Sequence, residues 1–386
     1  MKFLATTFGL TLFAFASLAK AQTFTPLYDF QGGSDGANPF STVVRDAAGN
    51  LYGTTFNGGN LQTCAYPGCG VVYKLDAAGN ETPIYTFAGP PGDGSNPVAG
   101  VITDAAGNFY GTTKYGGASG YGTVFQISPT GVEKVLRVFT GGTDGGILNA
   151  GLIRDKSGDL YGTTYAGGNS GFGTVFKIDH SGKFTTLYSF PDRAHGTNPN
   201  AALLRDASGN LYGTTQYGGD ANRGTVFKLD PSGDQTVLYS FSGTPDGAYP
   251  QSQLVADPDG NLYGTTTEGG AANAGTVFRL TLSGTESVLY NFAGSPDGAY
   301  PTAGVVRDTA GNLYGTTFRG GSSSTGVVYK IDPLGHETLL YSFRGSFDGA
   351  SPAAALLLDP KGTSVYGTAE HSGYACCGVV FNVSLP

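Results

Sequence analysis

The chain has 386 residues, of which 64 are Gly, 23 Tyr and 24 Phe, while charged residues make up 13%, about half their usual share. Gly or Pro interrupts nearly every window long enough for three helical turns, which excludes a helical fold and leaves many short strands joined by turns. The formal net charge is −8, so the chain lacks the basic footprint that nucleic acid or an anionic membrane surface would need, and neither is expected as a partner.

The first residues read as a leader. Lys2 gives a positive start, Phe3 to Leu18 is apolar, and Ala19-Lys20-Ala21 fits a small-residue cleavage site. Residues 1–21 are therefore expected to be a Sec signal peptide, and 22–386 a single secreted domain, monomeric and extracellular or periplasmic. Without Lys2 and Lys20, 19 basic residues face 29 acidic ones and the net charge becomes −10. No Cys follows the cleavage site to take a lipid. No later run reaches the roughly 20 apolar residues of a membrane span.

Leu27-Tyr28-Asp29-Phe30 reads as a lone strand standing before the first full repeat. After it, Leu-Tyr-Gly-Thr-Thr and close variants recur, with the Tyr-Gly pair at Tyr52, Tyr110, Tyr161, Tyr212, Tyr263, Tyr314 and Tyr366. The spacings are 58, 51, 51, 51, 51 and 52 residues, and a period near 50 signals a propeller or a solenoid. The fifth repeat shows four strands rich in Val, Leu, Tyr, Phe or Thr: a, 253–257; b, 261–266; c, 276–281; and d, 287–292. Asp257-Pro258-Asp259-Gly260-Asn261 makes a tight a–b turn, and Asp230-Pro231-Ser232-Gly233 shows the same chemistry between c and d in the repeat before it. Both turns should share one face. The longer b–c and d–a loops should share the other.

The chain ends decide between ring and solenoid. The last series stops after strand c, at Gly378-Val379-Val380-Phe381-Asn382-Val383, and the lone Leu27–Phe30 strand supplies the missing d. The expected fold is all-β, a seven-bladed β-propeller of four-stranded blades closed by the N-terminal strand, since a solenoid would need atypical polar caps. A Gly follows each Tyr inside strand b (Gly213, for example). Gly weakens a strand unless another group comes close, so aromatic rings from the next blade are expected to pack over it.

Leu-Tyr-Gly-Thr-Thr, the Gly-Gly pair and Gly-Thr-Val-Phe together resemble the GloVer tandem repeats of secreted bacterial proteins, over nearly the whole mature chain. The resemblance implies an extracellular propeller and names no reaction. Members with C-terminal anchors differ from this chain, in which five residues follow Phe381 and no sorting segment is seen.

Among chemical candidates, the d–a loops place Asp35, Asp93, Asp246, Asp297 and Asp348 before Gly, with Asp144 joining them. They could hold Ca²⁺ at the channel mouth, because hard cations take several oxygen ligands. A repeated Asp-Gly more often closes a turn, and that reading is preferred; no cofactor is predicted. A functional site should break the symmetry instead. His195 stands where other d–a loops have Asp, with Asp192 and Arg193 close by, and His371 lies beside Glu370 in the seventh b–c loop. His195, His371 and Glu370 are the acid–base candidates. Tyr115, Tyr165, Tyr217, Tyr249 and Tyr300, with Arg319, are candidates for stacking on sugar or peptide faces, against the alternative that the rings pack loop on loop. Phe56, Phe318 and Tyr374 also lie in b–c loops, with Lys114 and Gln216 among their polar neighbours.

Catalytic signatures such as a G-x-S-x-G elbow or an H-E-x-x-H pair are missing from the sequence. Cys64, Cys69, Cys376 and Cys377 lie in the b–c loops of blades 1 and 7, and a secreted chain makes disulfides the default. Two local pairs are favoured over a staple joining the two blades. The functional reading is a binding or interaction module using its b–c and d–a face, with an extracellular glycan, peptide or protein as partner. An extracellular lyase or hydrolase and a purely structural repeat are the alternatives.

Overall fold

Each Leu-Tyr-Gly-Thr-Thr segment becomes the second strand of a four-stranded antiparallel sheet in a computed structural model of the chain, which describes residues 22–65, 67–371 and 377–386. The expected leader, Tyr374 and Cys376 lie outside the described residues. Blade 5 has strand a at Val255–Ala256, b at Leu262–Thr266, c at Thr276–Leu280 and d at Glu286–Asn291. Seven such sheets form a propeller, and no helix occurs among the described residues. Blade 7 takes its outer strand from the start of the chain: Phe24–Asp29 pairs antiparallel with Val379–Ser384, Phe24 opposite Val383 and Asp29 opposite Val379.

The motif's five positions explain why it returns. Leu is core; Leu262, for example, is buried in the cluster between blades 4 and 5. Tyr ties the strand to its a–b turn. Tyr52 donates to Asp46 at 2.9 Å, and the same Asp accepts the Asn50 backbone and side-chain N–H groups; Tyr263 and Asp257 repeat this at 3.0 Å. Gly leaves room for a ring, since a Cβ on Gly213 would sit 2.7 Å from Phe227 Cζ. That ring belongs to strand c of the same blade, where Phe227 is the direct cross-strand partner of Gly213. The expectation of a ring from the next blade is therefore corrected, because the pairing register already puts an aromatic opposite the glycine.

The neighbouring blade contributes one step further out. Phe190, at the end of strand d in blade 3, packs edge-on against Phe227 at 5.3 Å. Phe87 on Phe125, Phe241 on Phe278 and Phe343 on Phe381 repeat the contact, and Phe30 on Tyr73 makes it between blades 7 and 1. Such pairs add about 0.5–1.5 kcal/mol to burial of the rings. The first Thr of the motif crosses the same seam with its hydroxyl. Thr112 donates to the Ala150 carbonyl at 2.8 Å and Thr265 to that of Ala303 at 2.8 Å. Thr368 closes the circle, donating to Ser41 at 3.0 Å. The second Thr stays in its own blade, as when Thr215 donates to the Tyr217 carbonyl and holds the b–c loop.

The d–a aspartates are loop clamps. Asp246 accepts the Tyr239 hydroxyl at 2.8 Å and the Ser242 backbone N–H at 2.9 Å, and Asp35, Asp93, Asp297 and Asp348 each take a strand-d Tyr hydroxyl and a backbone N–H likewise. Cys64 and Cys69 are bonded to each other with Cα atoms 5.7 Å apart, so the long first b–c loop closes on itself. Cys64 therefore makes no staple to blade 7.

Four glutamates open strand d half-buried, each with one carboxylate oxygen enclosed in the seam: Glu81, Glu133, Glu286 and Glu337. Burial, and then the negative Asp35, Asp93 and Asp246 of the preceding d–a loops, push the carboxyls of the first three up to about 7, and burial, then Asp297, raises that of Glu337. A raised folded-state pKa means that the neutral form fits the seam, so this stability is fully present below about 4.5 and is lost as pH rises through about 7. Urea midpoints should therefore fall between pH 5 and pH 8.5, and Glu81→Gln, Glu133→Gln, Glu286→Gln and Glu337→Gln combined should flatten that slope; an unchanged slope would refute the assignment. Deleting residues 22–30 removes the outer strand of blade 7 and the Phe30 contact. The truncated chain should aggregate or lose most of its stability, and an unaltered melting temperature would contradict closure by this strand.

Candidate functional site

The chain enters each blade along the central axis, so the residues just before and within strand a line the channel. They enclose a cavity of about 1040 Å³. The residue at the start of each entry is Phe40, Val98, Asn149, Asn200, Gln251, Thr302 or Ala353, one from each of blades 1 to 7 in order, and from the b–c loops Lys114, Phe318 and Glu370 reach the same space. Scaffold positions repeat around the ring. These do not.

Blades 3 to 5 form a polar arc. Asn149 Nδ2 donates to Asn200 Oδ1 at 2.8 Å, Asn200 Nδ2 to Gln251 Oε1 at 2.9 Å, and Gln251 Nε2 to Thr267 Oγ1 at 3.3 Å. An amide nitrogen carries two N–H groups, so each keeps one beyond the run. At its head, Asn149 Oδ1 is a buried acceptor with no protein partner. Blade 1 is apolar, with Phe40 edge-on to Phe56 at 5.5 Å. In blade 7 the Glu370 side chain is only 15% exposed, and burial pushes its carboxyl up to about 7. His371 Nδ1 lies 3.6 Å from it. Lys114, from blade 2, holds its ammonium 5.4 Å from the centre of the Tyr115 ring.

Of the acid–base candidates, the structure brings Glu370 to the channel with His371 beside it. His195 is elsewhere. It bonds Asp192 at 2.7 Å and takes the Gln235 side-chain amide on its backbone carbonyl, so it and Glu370 do not share the cavity. The tyrosine candidates sit outside the channel lining. Tyr217 packs edge-on to Tyr249 at 5.4 Å, and Arg223 hydrogen-bonds the Tyr249 hydroxyl and stacks over its ring. Tyr300 packs against the core between blades 5 and 6, Arg319 lies over Phe318, and burial, then Tyr217, raises the pKa of Tyr165. The channel amides escaped the sequence reading. Their signal was positional: they follow Pro or its equivalent in successive d–a loops and differ from blade to blade. Among the described residues, no group of three or more His, Cys, Asp or Glu side chains is placed to hold a metal ion.

Solved structures share the architecture at low identity. The extracellular domain of a candidate hybrid two component system, BT4673 of B. thetaiotaomicron, aligns over 94% of this chain and 42% of its own with 14% identity and a TM-score of 0.57, so the present chain spans less than half of that domain. A candidate 6-phosphogluconolactonase from Bacteroides uniformis aligns over 82% of this chain and 88% of its own, with 14% identity and a TM-score of 0.53. At such identity these neighbours show the fold alone. A search of curated proteins finds none with significant similarity. The profile of the Gloeobacter/Verrucomicrobia repeat matches residues 11–207, 142–310 and 192–381. With the seven Tyr-Gly strands and the ring they build, the chain belongs to this repeat family, the GloVer repeats.

Proposed function

We propose that the protein is a secreted binding module that holds a hydroxyl-rich extracellular ligand, a carbohydrate chain, at the mouth of its central channel. The observation carrying this reading is the loss of seven-fold symmetry at the channel wall. Blades that repeat Gly, Thr, Phe and Asp at their scaffold positions present Phe, Val, Asn, Asn, Gln, Thr and Ala to the channel. A structural repeat alone would not need that variety. Paired amide donors and acceptors match sugar hydroxyls, while Phe40 and Phe318 offer apolar faces for a pyranose ring. The Cys64–Cys69 disulfide and the extracellular domain among the structural neighbours support an oxidising, extracellular setting.

A lyase or hydrolase reading draws on Glu370, a buried carboxyl that titrates near neutrality. Glycosidases generally set two carboxyls across the bond they cleave, and among the described residues lining the cavity Glu370 is the single acid. Binding is therefore the better-supported activity.

A glycan array screened with the intact protein should return a carbohydrate class. Asn200→Ala or Gln251→Ala should then weaken that binding about three- to tenfold, the loss of one hydrogen bond or two, with the protein still cooperatively folded. Full affinity in both variants would move the site away from the channel.

A further inference from the structure

We infer that the channel mouth contains a subsite for an ammonium group, with Glu370 as its counter-charge and Phe40 and Phe318 as its walls; this rests on the channel-mouth reading and specifies the ligand's charge. The position of Glu370 in strand b's outgoing loop is filled in blades 6 and 1 by Phe318 and Phe56. The entry residue of its own blade is Ala353, and those of the adjoining blades are Thr302 and Phe40. A carboxylate is thus set among mostly apolar neighbours, and it keeps 15% of its side-chain surface open. Asn38 donates to the Glu370 backbone carbonyl at 3.2 Å and fixes the segment. No hydrogen bond from a described side chain reaches the carboxylate itself.

Among the described residues the His371 imidazole is the basic group that pairs with it, and the Arg319 guanidinium lies over the Phe318 ring. His371 stands 3.6 Å away with more than half of its side chain exposed, in reach of solvent. Lys114 belongs to blade 2, two blades away, with its ammonium over Tyr115. Arg154, on the channel wall of blade 3, lies further round the ring and nearer to the Tyr110 ring. Burial alone raises the Glu370 carboxyl to about 7. A largely buried carboxylate whose charge is met only by an exposed imidazole is costly to keep ionised, and an incoming cation would offset that cost. Aromatic faces beside a carboxylate favour a substituted ammonium, which is weakly hydrated and attracted to ring faces. A ligand carboxylate would be repelled there.

Binding of a cation draws the Glu370 proton off, so affinity should rise with pH through about 7. Choline and its uncharged isostere 3,3-dimethylbutanol are suitable probes, titrated calorimetrically into the full disulfide-intact chain. Choline should bind at least about tenfold more tightly than the isostere at pH 8, weaken about tenfold on going to pH 5.5, and release a proton on binding. Glu370→Gln, which preserves shape, should abolish the preference for choline without lowering the melting temperature. Phe318→Leu should weaken choline several-fold, whereas Asn200→Ala should leave it intact. Equal affinity for the two probes, no choline binding at about 50 mM, or an undiminished preference in Glu370→Gln would overturn the ammonium subsite. An array that returns no glycan would overturn the carbohydrate reading instead and leave the choline result to stand by itself.

Discussion

The seam between blades is the interaction on which the molecule depends. A four-stranded sheet of about 40 residues cannot bury enough apolar surface to be stable alone. It becomes stable when the Phe that ends strand d, such as Phe190, is driven against the aromatic of the next strand c, here Phe227. A Thr hydroxyl spans the same gap to a carbonyl that would otherwise lack a partner, as Thr163 does to Ala201 at 3.2 Å. Stability in such arrays is a sum of unit and neighbour terms. A ring gains one neighbour term that an open array lacks, and the Phe30–Tyr73 and Thr368–Ser41 contacts provide it here.

Repetition also sorts the residues by role. A side chain that serves the seam must return in every blade, so Leu, Tyr, Gly and Thr recur, and the d–a Asp returns as a clamp. Side chains pointing at the axis serve no seam and are released from that constraint. The channel can therefore differ from blade to blade without cost to the fold, and it carries an amide run in blades 3 to 5, an aromatic wall in blade 1 and a lone buried acid in blade 7. The seam glutamates are a different case. Glu81, Glu133, Glu286 and Glu337 are set into the scaffold at a pH-dependent cost, and Gln235 and Phe184 stand at the same position in blades 4 and 3.

Much of the fold was legible in the sequence because its signals are local and repeated. The Tyr-Gly period counted the blades, Asp-x-x-Gly-Asn marked the turns, and Leu27–Phe30 without a strand c before it foretold closure. The long-range partners were not legible. Nothing at Gly213 says that the ring above it comes from Phe227 in its own blade, because that depends on pairing register. The site was harder still. His195 drew notice because it departs from Asp, yet it answers to Asp192 and Gln235 and is not among the residues lining the channel. Asn149, Asn200 and Gln251 stand 51 residues apart and touch only once the ring is closed. Their meaning lies in that geometry, and in sequence they look like ordinary loop residues. Glu370 was visible as an acid beside a His, but its burial was not.

Blocking the channel tests the central claim most directly. Asn200→Cys, coupled to a bulky maleimide, would fill the channel mouth, and Tyr115→Cys with the same label would load the exposed outer rim of that face. Binding to the carbohydrate surface identified by the array should be abolished by the first label and unaffected by the second. Binding that survives a filled channel, or fails with the rim label alone, would contradict the account.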